Sequence, residues 1–184
     1  MEAIYKDLKD KMEKVISGLK GELSRLRTGR ATPALLDGVK VEYYGSMTPI
    51  SQVGNISVPD PKLIVIQPWD QSAIAAIEKG IIKSDLGLNP QSDGKIIRIP
   101  IPALTDERRK ELVKLIKKYG EDSRVSVRNI RRQANESLKA KEKAKELSED
   151  DSKKGQDQVQ KHTDDYISQI DKVVEAKEKE ILES

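Results

Sequence analysis

From Thr105 to Leu147 the sequence contains no proline, and apolar residues recur at helical spacing: Leu112, Leu115, Ile116, Tyr119, Val127, Ile130, Ala134, Leu138 and Leu147. That period marks one stripe of an amphipathic helix. Thr105 is placed to cap it, and Asp106 and Glu107 in the first turn suit the exposed amides of a helix N-terminus. Gly120 is its one weak point. At 1.5 Å per residue the helix is about 60 Å long, more than the diameter of a compact domain of this size, so the spacing predicts an elongated molecule.

Such a helix needs partners. Residues 1–28 carry a similar stripe, Ile4, Leu8, Met12, Val15, Leu19, Leu23 and Leu26, weakened locally by Gly18 and Gly21. A third stripe, Val159, Tyr166, Ile170, Val173 and Ile181, follows the helix-start pattern Ser148-Glu149-Asp150-Asp151, in which cap hydroxyl and third-position carboxylate satisfy free amides reciprocally. Between the first two stripes the character changes. Val39 to Tyr44, Ile56 to Val58, Leu63 to Gln67 and Lys95 to Ile99 are short β-branched or aromatic runs separated by Gly, Pro, Asn and Asp. Among them Asp70 can cap a helix through Ala73, Ile74, Ile77 and Ile81, which ends near Asp85-Leu86-Gly87-Leu88-Asn89-Pro90. The expected fold class is α+β: an elongated three-helix bundle from residues 1–30 and 105–184, with a small β/α/β domain, 31–104, inserted. The two connections are short and rich in Gly or Pro, which makes Gly29, Thr32 and Pro33, and Pro102, Ala103 and Leu104, the candidate hinge.

Composition agrees with slender packing. There is no Phe and one Trp, and the charged share, 35%, nearly equals the hydrophobic share, 36%, so a wide aromatic core is hard to build. Strict apolar spacing through the charged stretches argues for exposed helices rather than disorder. The absence of Cys removes disulfides, thiolate metal sites and a Cys nucleophile. The first residues, MEAIYKDLKDKMEKV, hold no unbroken apolar run, so neither a secretory signal nor a membrane span is expected, and a cytoplasmic location is.

Charge is unevenly spread. Residues 105–147 hold 14 Lys and Arg against 8 Asp and Glu, whereas 148–184 hold 6 against 11. The second helix is thus basic and the third acidic. Within the basic helix Arg124, Arg128, Arg131 and Arg132 fall three and four apart and cluster on one side. Two readings stand at this point. Arg suits phosphate, because its planar fork can give two parallel hydrogen bonds, and Arg27 and Arg30 could extend such a patch. Alternatively the cluster pairs with the acidic helix, as solvated faces of bundles often do.

Enzyme readings find little support. His162, the only His, lies in a polar, acidic stretch without metal-ligand spacing and reads as a surface residue. Asp164 and Asp165 are adjacent and cannot face one site on a helix. No phosphate-cradling Gly loop is present. Trp69, Tyr43 and Tyr44 can stack on bases, but in so aromatic-poor a chain they are expected to fill the small domain's core.

Taken in order, Leu26-Arg27-Thr28-Gly29-Arg30-Ala31, Leu36-Asp37-Gly38, Val41-Glu42-Tyr43-Tyr44-Gly45, Ser84-Asp85-Leu86-Gly87-Leu88-Asn89-Pro90, Leu104-Thr105-Asp106-Glu107-Arg108-Arg109-Lys110 and Arg124-Val125-Ser126-Val127-Arg128-Asn129-Ile130-Arg131-Arg132 closely resemble ribosome recycling factors. The resemblance runs nearly end to end. It implies an L-shaped molecule similar in outline to a transfer RNA. It implies a non-catalytic translation factor without cofactor or metal; a monomer is expected because three stripes can close one core internally. Such a factor binds the 70S-type ribosome after termination and separates its subunits with elongation factor G, which supplies the GTP chemistry. It also implies large-subunit rRNA contacts through Arg27, Arg30, Arg128, Arg131 and Arg132, to which the clustering adds Arg124. Gln133 departs from the family pattern, where an acidic residue is common after the paired Arg, and this puts the network around Arg132 in doubt.

Overall fold

The computed structural model describes residues 1–184. The fold is α+β, with a long helical part and a small β-sheet part. Two compact units emerge, one of residues 1–26 with 109–183, the other of residues 27–108.

The first unit contains α1 (Glu2–Ser24), most of α3 (Asp106–Lys143) and α4 (Glu149–Leu182). On α1, Leu8, Met12, Ile16, Leu19 and Leu23 are buried. Ile16 takes the central place expected of Val15, which is half-buried. The helix stops four residues short of Thr28, where the Ser24 hydroxyl turns back to the Gly21 carbonyl (2.8 Å) and the Leu26 amide donates to Leu23 (3.2 Å). On α3 the cap forms as the sequence suggests, with Thr105 Oγ1 accepting from the Arg108 amide (3.2 Å). Its far end comes at Lys143 rather than Leu147. Lys145 adopts a left-handed conformation, φ 59°, and the amides of Glu146 and Lys145 return to Lys141 and Glu142, both at 2.9 Å. That is the hydrogen-bond pattern of a helix-closing turn, with lysine in the place glycine usually takes.

Ser148 then caps α4, accepting from the Asp151 amide at 3.1 Å. Asp151 does not complete the expected reciprocal bond to backbone; its short side chain takes the Ser148 hydroxyl proton instead (2.8 Å). The buried line of α4 is Ser152, Gly155, Val159, Thr163, Tyr166, Ile170, Val174 and Ile181, so Val174 and not Val173 faces the core. Small residues make room for side chains of the facing helix. A Cβ at Gly120 would lie 2.7 Å from Val174 Cγ2, and one at Gly155 would lie 3.1 Å from both Leu138 methyls. Gly120 is therefore a packing requirement, not a weak point. Thr163, fully buried, satisfies its hydroxyl on the Val159 carbonyl (2.7 Å), and Tyr166 donates to Glu13 on α1 (3.4 Å). His162 is half-buried rather than a free surface residue, its ring 6.2 Å from that of Tyr5.

The second unit has two sheets. β1 (Lys40–Tyr43) and β2 (Ser46–Pro49) form an antiparallel ribbon. β3 (Gly54–Asp60), β4 (Leu63–Pro68), β5 (Gln91–Ser92) and β6 (Ile97–Pro100) form an antiparallel sheet in the order β3-β4-β6-β5. The four runs read from the sequence correspond to β1, β3, β4 and β6. The short, exposed strands β2 and β5 carry no apolar alternation by which to be seen. In the middle of the sheet Ile64 lies opposite Ile99 and Ile66 opposite Ile97, all fully buried. α2 (Ile74–Lys83) places Ile74, Ile77 and Ile81 in the same core, after a short 3-10 turn whose start Asp70 caps through the Ser72 amide (2.9 Å). Isoleucine thus fills the role that aromatics were expected to play. Trp69 and Tyr44 are 71% and 81% exposed, and Tyr43 is half-buried. Tyr44 sits at φ 47° in the turn between β1 and β2, which turns its side chain outward to donate to Asp70 Oδ2 (3.0 Å).

All six candidate hinge residues fall within this unit. Gly29, at φ 73°, is buried, and a Cβ there would lie 3.1 Å from Leu104 Cγ. Its carbonyl accepts from Lys62 Nζ (3.0 Å). The neighbouring amides of Ala31 and Ile101 donate to Pro61 (2.7 Å) and Lys62 (2.8 Å). Thr32 precedes a one-turn 3-10 helix that begins at Pro33, whereas Pro102 and Ala103 are exposed. No helix in the chain is long and apolar enough to cross a membrane.

Two consequences can be measured. Gly120→Ala gains up to about 1 kcal/mol of helix propensity but forces a methyl into Val174, and overpacking costs roughly 1–3 kcal/mol. A lower urea midpoint is expected, partly restored by adding Val174→Ala; an unchanged midpoint would refute tight packing of Val174 on Gly120. The second concerns Asp93, whose carboxylate accepts from the amides of Ile96 and Lys95 and from Arg98 Nη1, each at 3.0 Å. These bonds, the backbone ones first, lower its pKa from 3.8 to about 2. Because the folded value lies below the unfolded one, this contribution is complete above pH 4 and fades as pH falls toward 2. Asp93→Asn should flatten that part of the acid denaturation curve, and an unaltered curve would refute the assignment.

Candidate nucleic-acid interface

The four arginines of α3 look alike in sequence but occupy different positions around the helix. With fully buried Val127 as the centre of the packed face, a helix turning roughly 100° per residue puts Arg131 about 40° and Arg124 about 60° away. Arg128 then falls at about 100° and Arg132 at about 140°. The partners follow this order. Arg124, 23% exposed, donates through Nε and Nη2 to Asp171 Oδ1 on α4 (2.8 and 2.6 Å) and through Nη1 to Glu121 Oε2 (3.2 Å). Burial pulls its pKa down, but bonds to Asp171 and Glu121 more than offset this and leave it raised. Arg131 reaches α4 through the neutral Gln160 (Nη1 to Oε1, 3.2 Å). Arg128 has only Glu121, at 3.1 Å, and its side chain is 41% exposed. Arg132 is exposed and makes no ion pair or hydrogen bond within the chain.

The four arginines therefore divide by partner. Pairing with the acidic helix accounts for Arg124 and, through an amide, Arg131. Arg132 keeps an unopposed charge facing solvent. Glu121 and Asp171 were not singled out from the sequence. Glu121 could have been, since it stands three residues before Arg124 and seven before Arg128, on the same side of the helix. Asp171 depends on the register of α3 against α4, which spacing within one helix does not reveal. Two hydrogen bonds from the arginines, Arg128 first, hold the Glu121 carboxyl below its usual range.

Gln133 does not join a network with Arg132. Adjacent helical residues diverge by about 100°, and Gln133 lines a shallow groove with Ile4, Leu8 and Ala134 instead. Arg27 and Arg30 belong to the second unit. Arg27 donates through Nη1 to the Leu86 carbonyl, in the turn that contains Asp85 and Gly87, both at positive φ. A neutral carbonyl leaves its charge uncompensated. Arg30 is exposed and unpaired. No three His, Asp or Glu side chains are grouped to hold a metal ion.

An exposed, unpaired arginine on a long basic helix, together with an Ile-cored β unit inserted in the sequence between α1 and α3, is a distinctive combination. Residues 19–182 match the ribosome recycling factor family. The chain belongs to that family. The ribosome-recycling factor of Nitratidesulfovibrio vulgaris is 59% identical over 183 residues, 100% of this chain and 98% of that protein. That of Natranaerobius thermophilus is 56% identical over 181 residues, 98% of each chain. A solution structure of a ribosome recycling factor superposes with a TM-score of 0.77 at 49% identity, covering 100% of this chain and 97% of that one. A second structure, with a TM-score of 0.67 at 48% identity and 98% coverage of each, presents models of the T. thermophilus ribosome recycling factor and E. coli elongation factor G bound to the E. coli post-termination complex.

The difference between a pinned and an exposed arginine is measurable in this family member. A double-mutant cycle of Arg124→Ala with Asp171→Ala should give a coupling near the upper end for surface pairs, about 1 kcal/mol. Arg132→Ala should leave thermal stability unchanged. A zero coupling for the first pair, or marked destabilisation by the second change, would contradict the geometry.

Proposed function

We propose that this recycling factor binds the 70S-type ribosome after termination and, with elongation factor G and GTP, promotes its dissociation into subunits and release from mRNA. The observation that carries this reading in molecular terms is Arg132, exposed and without a partner on α3. Residues 105–147 carry 14 basic against 8 acidic residues, which gives that charge a favourable setting. In this reading the basic face of the bundle contacts large-subunit rRNA. Arg132 and Arg128 reach phosphates, Arg131 extends the patch beside α4, and Arg124 acts mainly by fixing α3 against α4. Arg27 and Arg30 add charge from the second unit.

Phosphate contacts position a protein without reading sequence, which suits a factor acting on every ribosome. The chain is non-catalytic in this scheme, works as a cytoplasmic monomer without cofactor, and leaves GTP hydrolysis to the translocase. The complex of a 48% identical relative with elongation factor G on a post-termination ribosome supports the choice of partners. The unit of residues 27–108 serves as the domain that receives the translocase's push, and the helical unit of residues 1–26 and 109–183 as the anchor. Bending is assigned to Gly29, Thr32, Pro33, Pro102, Ala103 and Leu104, with exposed Pro102 and Ala103 the freest of them.

Co-sedimentation with ribosomes across a salt series tests the proposal. Arg132→Ala should weaken binding about tenfold and lower the slope of log affinity against log salt by roughly one contact's share, 0.7–0.9. Subunit splitting should require both factors and GTP. Equal binding by both proteins would favour an adaptor that uses the same helices to hold another protein.

A further inference from the structure

We infer that Glu121 is an internal stand-in for phosphate, which holds Arg128 on the surface of α3 until RNA displaces it. The inference rests on the RNA-binding reading above and names how that face is regulated.

Glu121 presents one carboxylate to two guanidinium groups, Oε2 to Arg124 Nη1 at 3.2 Å and Oε1 to Arg128 Nη1 at 3.1 Å. An anionic phosphate would offer the same pair of acceptor oxygens to the same donors. The two arginines do not depend on Glu121 equally. Arg124 has a second anchor in Asp171, through the shorter contacts of 2.8 and 2.6 Å, and is only 23% exposed. Arg128 has no other partner in the chain, and both its side chain and that of Glu121 are open to solvent, 41% and 55%. Loss of the Glu121 charge leaves Arg124 in place and frees Arg128.

The local balance points the same way. Glu121 and Asp171 match the charges of Arg124 and Arg128, so the surplus positive charge of the cluster comes from Arg131, held by a neutral amide, and unpaired Arg132. Arg132 is available at first encounter. Arg128 becomes available only where a phosphate lies close enough to outcompete a carboxylate already in contact. Glu121 therefore lowers affinity for scattered phosphates and reserves the second contact for a correctly placed backbone.

The test is ribosome co-sedimentation over a salt series with the full-length protein, comparing the unaltered chain, Glu121→Gln, Arg128→Ala and the double variant. Glutamine keeps the shape and removes the charge. Glu121→Gln is expected to bind about threefold to tenfold more tightly at low salt, with a slope steeper by roughly 0.7–0.9, the share of one contact. In the Arg128→Ala background the same change should alter neither. Unchanged or weaker binding by Glu121→Gln would overturn the inference, since it would make the carboxylate a bystander or an aid to Arg128. An equal gain without Arg128 would overturn it too, by reducing the effect to general charge. Arg132-dependent binding that ignores Glu121 removes this inference alone; ribosome binding insensitive to Arg132→Ala removes it together with the functional reading.

Discussion

The packing of α4 against α1 and α3 is the constraint on which the bundle and its charged face both depend. At Gly120 there is no room for a methyl group beside Val174, and at Gly155 two methyls of Leu138 occupy the gap. In a chain without Phe, a narrow seam of Leu, Ile and Val interspersed with Gly, Ser, Thr and Ala replaces a broad core. Packing density is maintained by seating a facing side chain in the space a missing Cβ leaves, Val174 at Gly120 and Leu138 at Gly155. The same packing puts Asp171 within reach of the long Arg124 side chain and Gln160 within reach of Arg131. Position around α3 sorts the four arginines, and Arg132 keeps its charge because it points away from the seam.

The second unit meets the shortage of aromatics differently. Ile64, Ile66, Ile97 and Ile99 form directly opposed pairs across two strands, and Ile77 and Ile81 of α2 close over them. β-branched side chains suit a pleated half-buried surface, so this composition favours strand geometry and core formation together. Tyr43 still packs against this core, but Trp69 and Tyr44 are released to the outside, which explains why the expectation that they are buried fails. That expectation weighed hydrophobic area but not position. Tyr44 lies in a two-residue turn with Gly45 and has no core to face, and Trp69 stands just beyond the end of β4.

Much of the architecture was legible because it rests on local signals. Thr105 and Ser148 declare helix starts through side chains that satisfy their own neighbours' amides, and the stripes identify three helices. Helix ends were less legible. α1 and α3 each stop about a turn early because Ser24 and Lys145 close them through backbone geometry that leaves little trace in composition. The exchange of Val15 for Ile16, and of Val173 for Val174, shows the limit of counting threes and fours: when adjacent residues are both apolar, the partner helix decides which one is buried. For the charged face, angle around α3 was readable and distinguishes Arg132 from Arg131. The Asp171 contact was not, because it depends on the register of α4.

Gly29 and Leu104 touch, and Ala31 and Ile101 are fastened to the adjacent residues Pro61 and Lys62. The chain therefore enters and leaves the second unit at one place. This changes the thermodynamics of assembling a bundle whose first helix is separated from the others by residues 27–108. In an open chain, bringing α1 to α3 means closing a long loop. Once the second unit has folded, its two ends are already side by side, and the loop still to be closed shrinks by about three halvings, a saving of about 2 kcal/mol in closure entropy. An insertion that looks like an interruption in sequence thus behaves, energetically, as a short connector: the smaller unit prepays the search that lets α1 find its place.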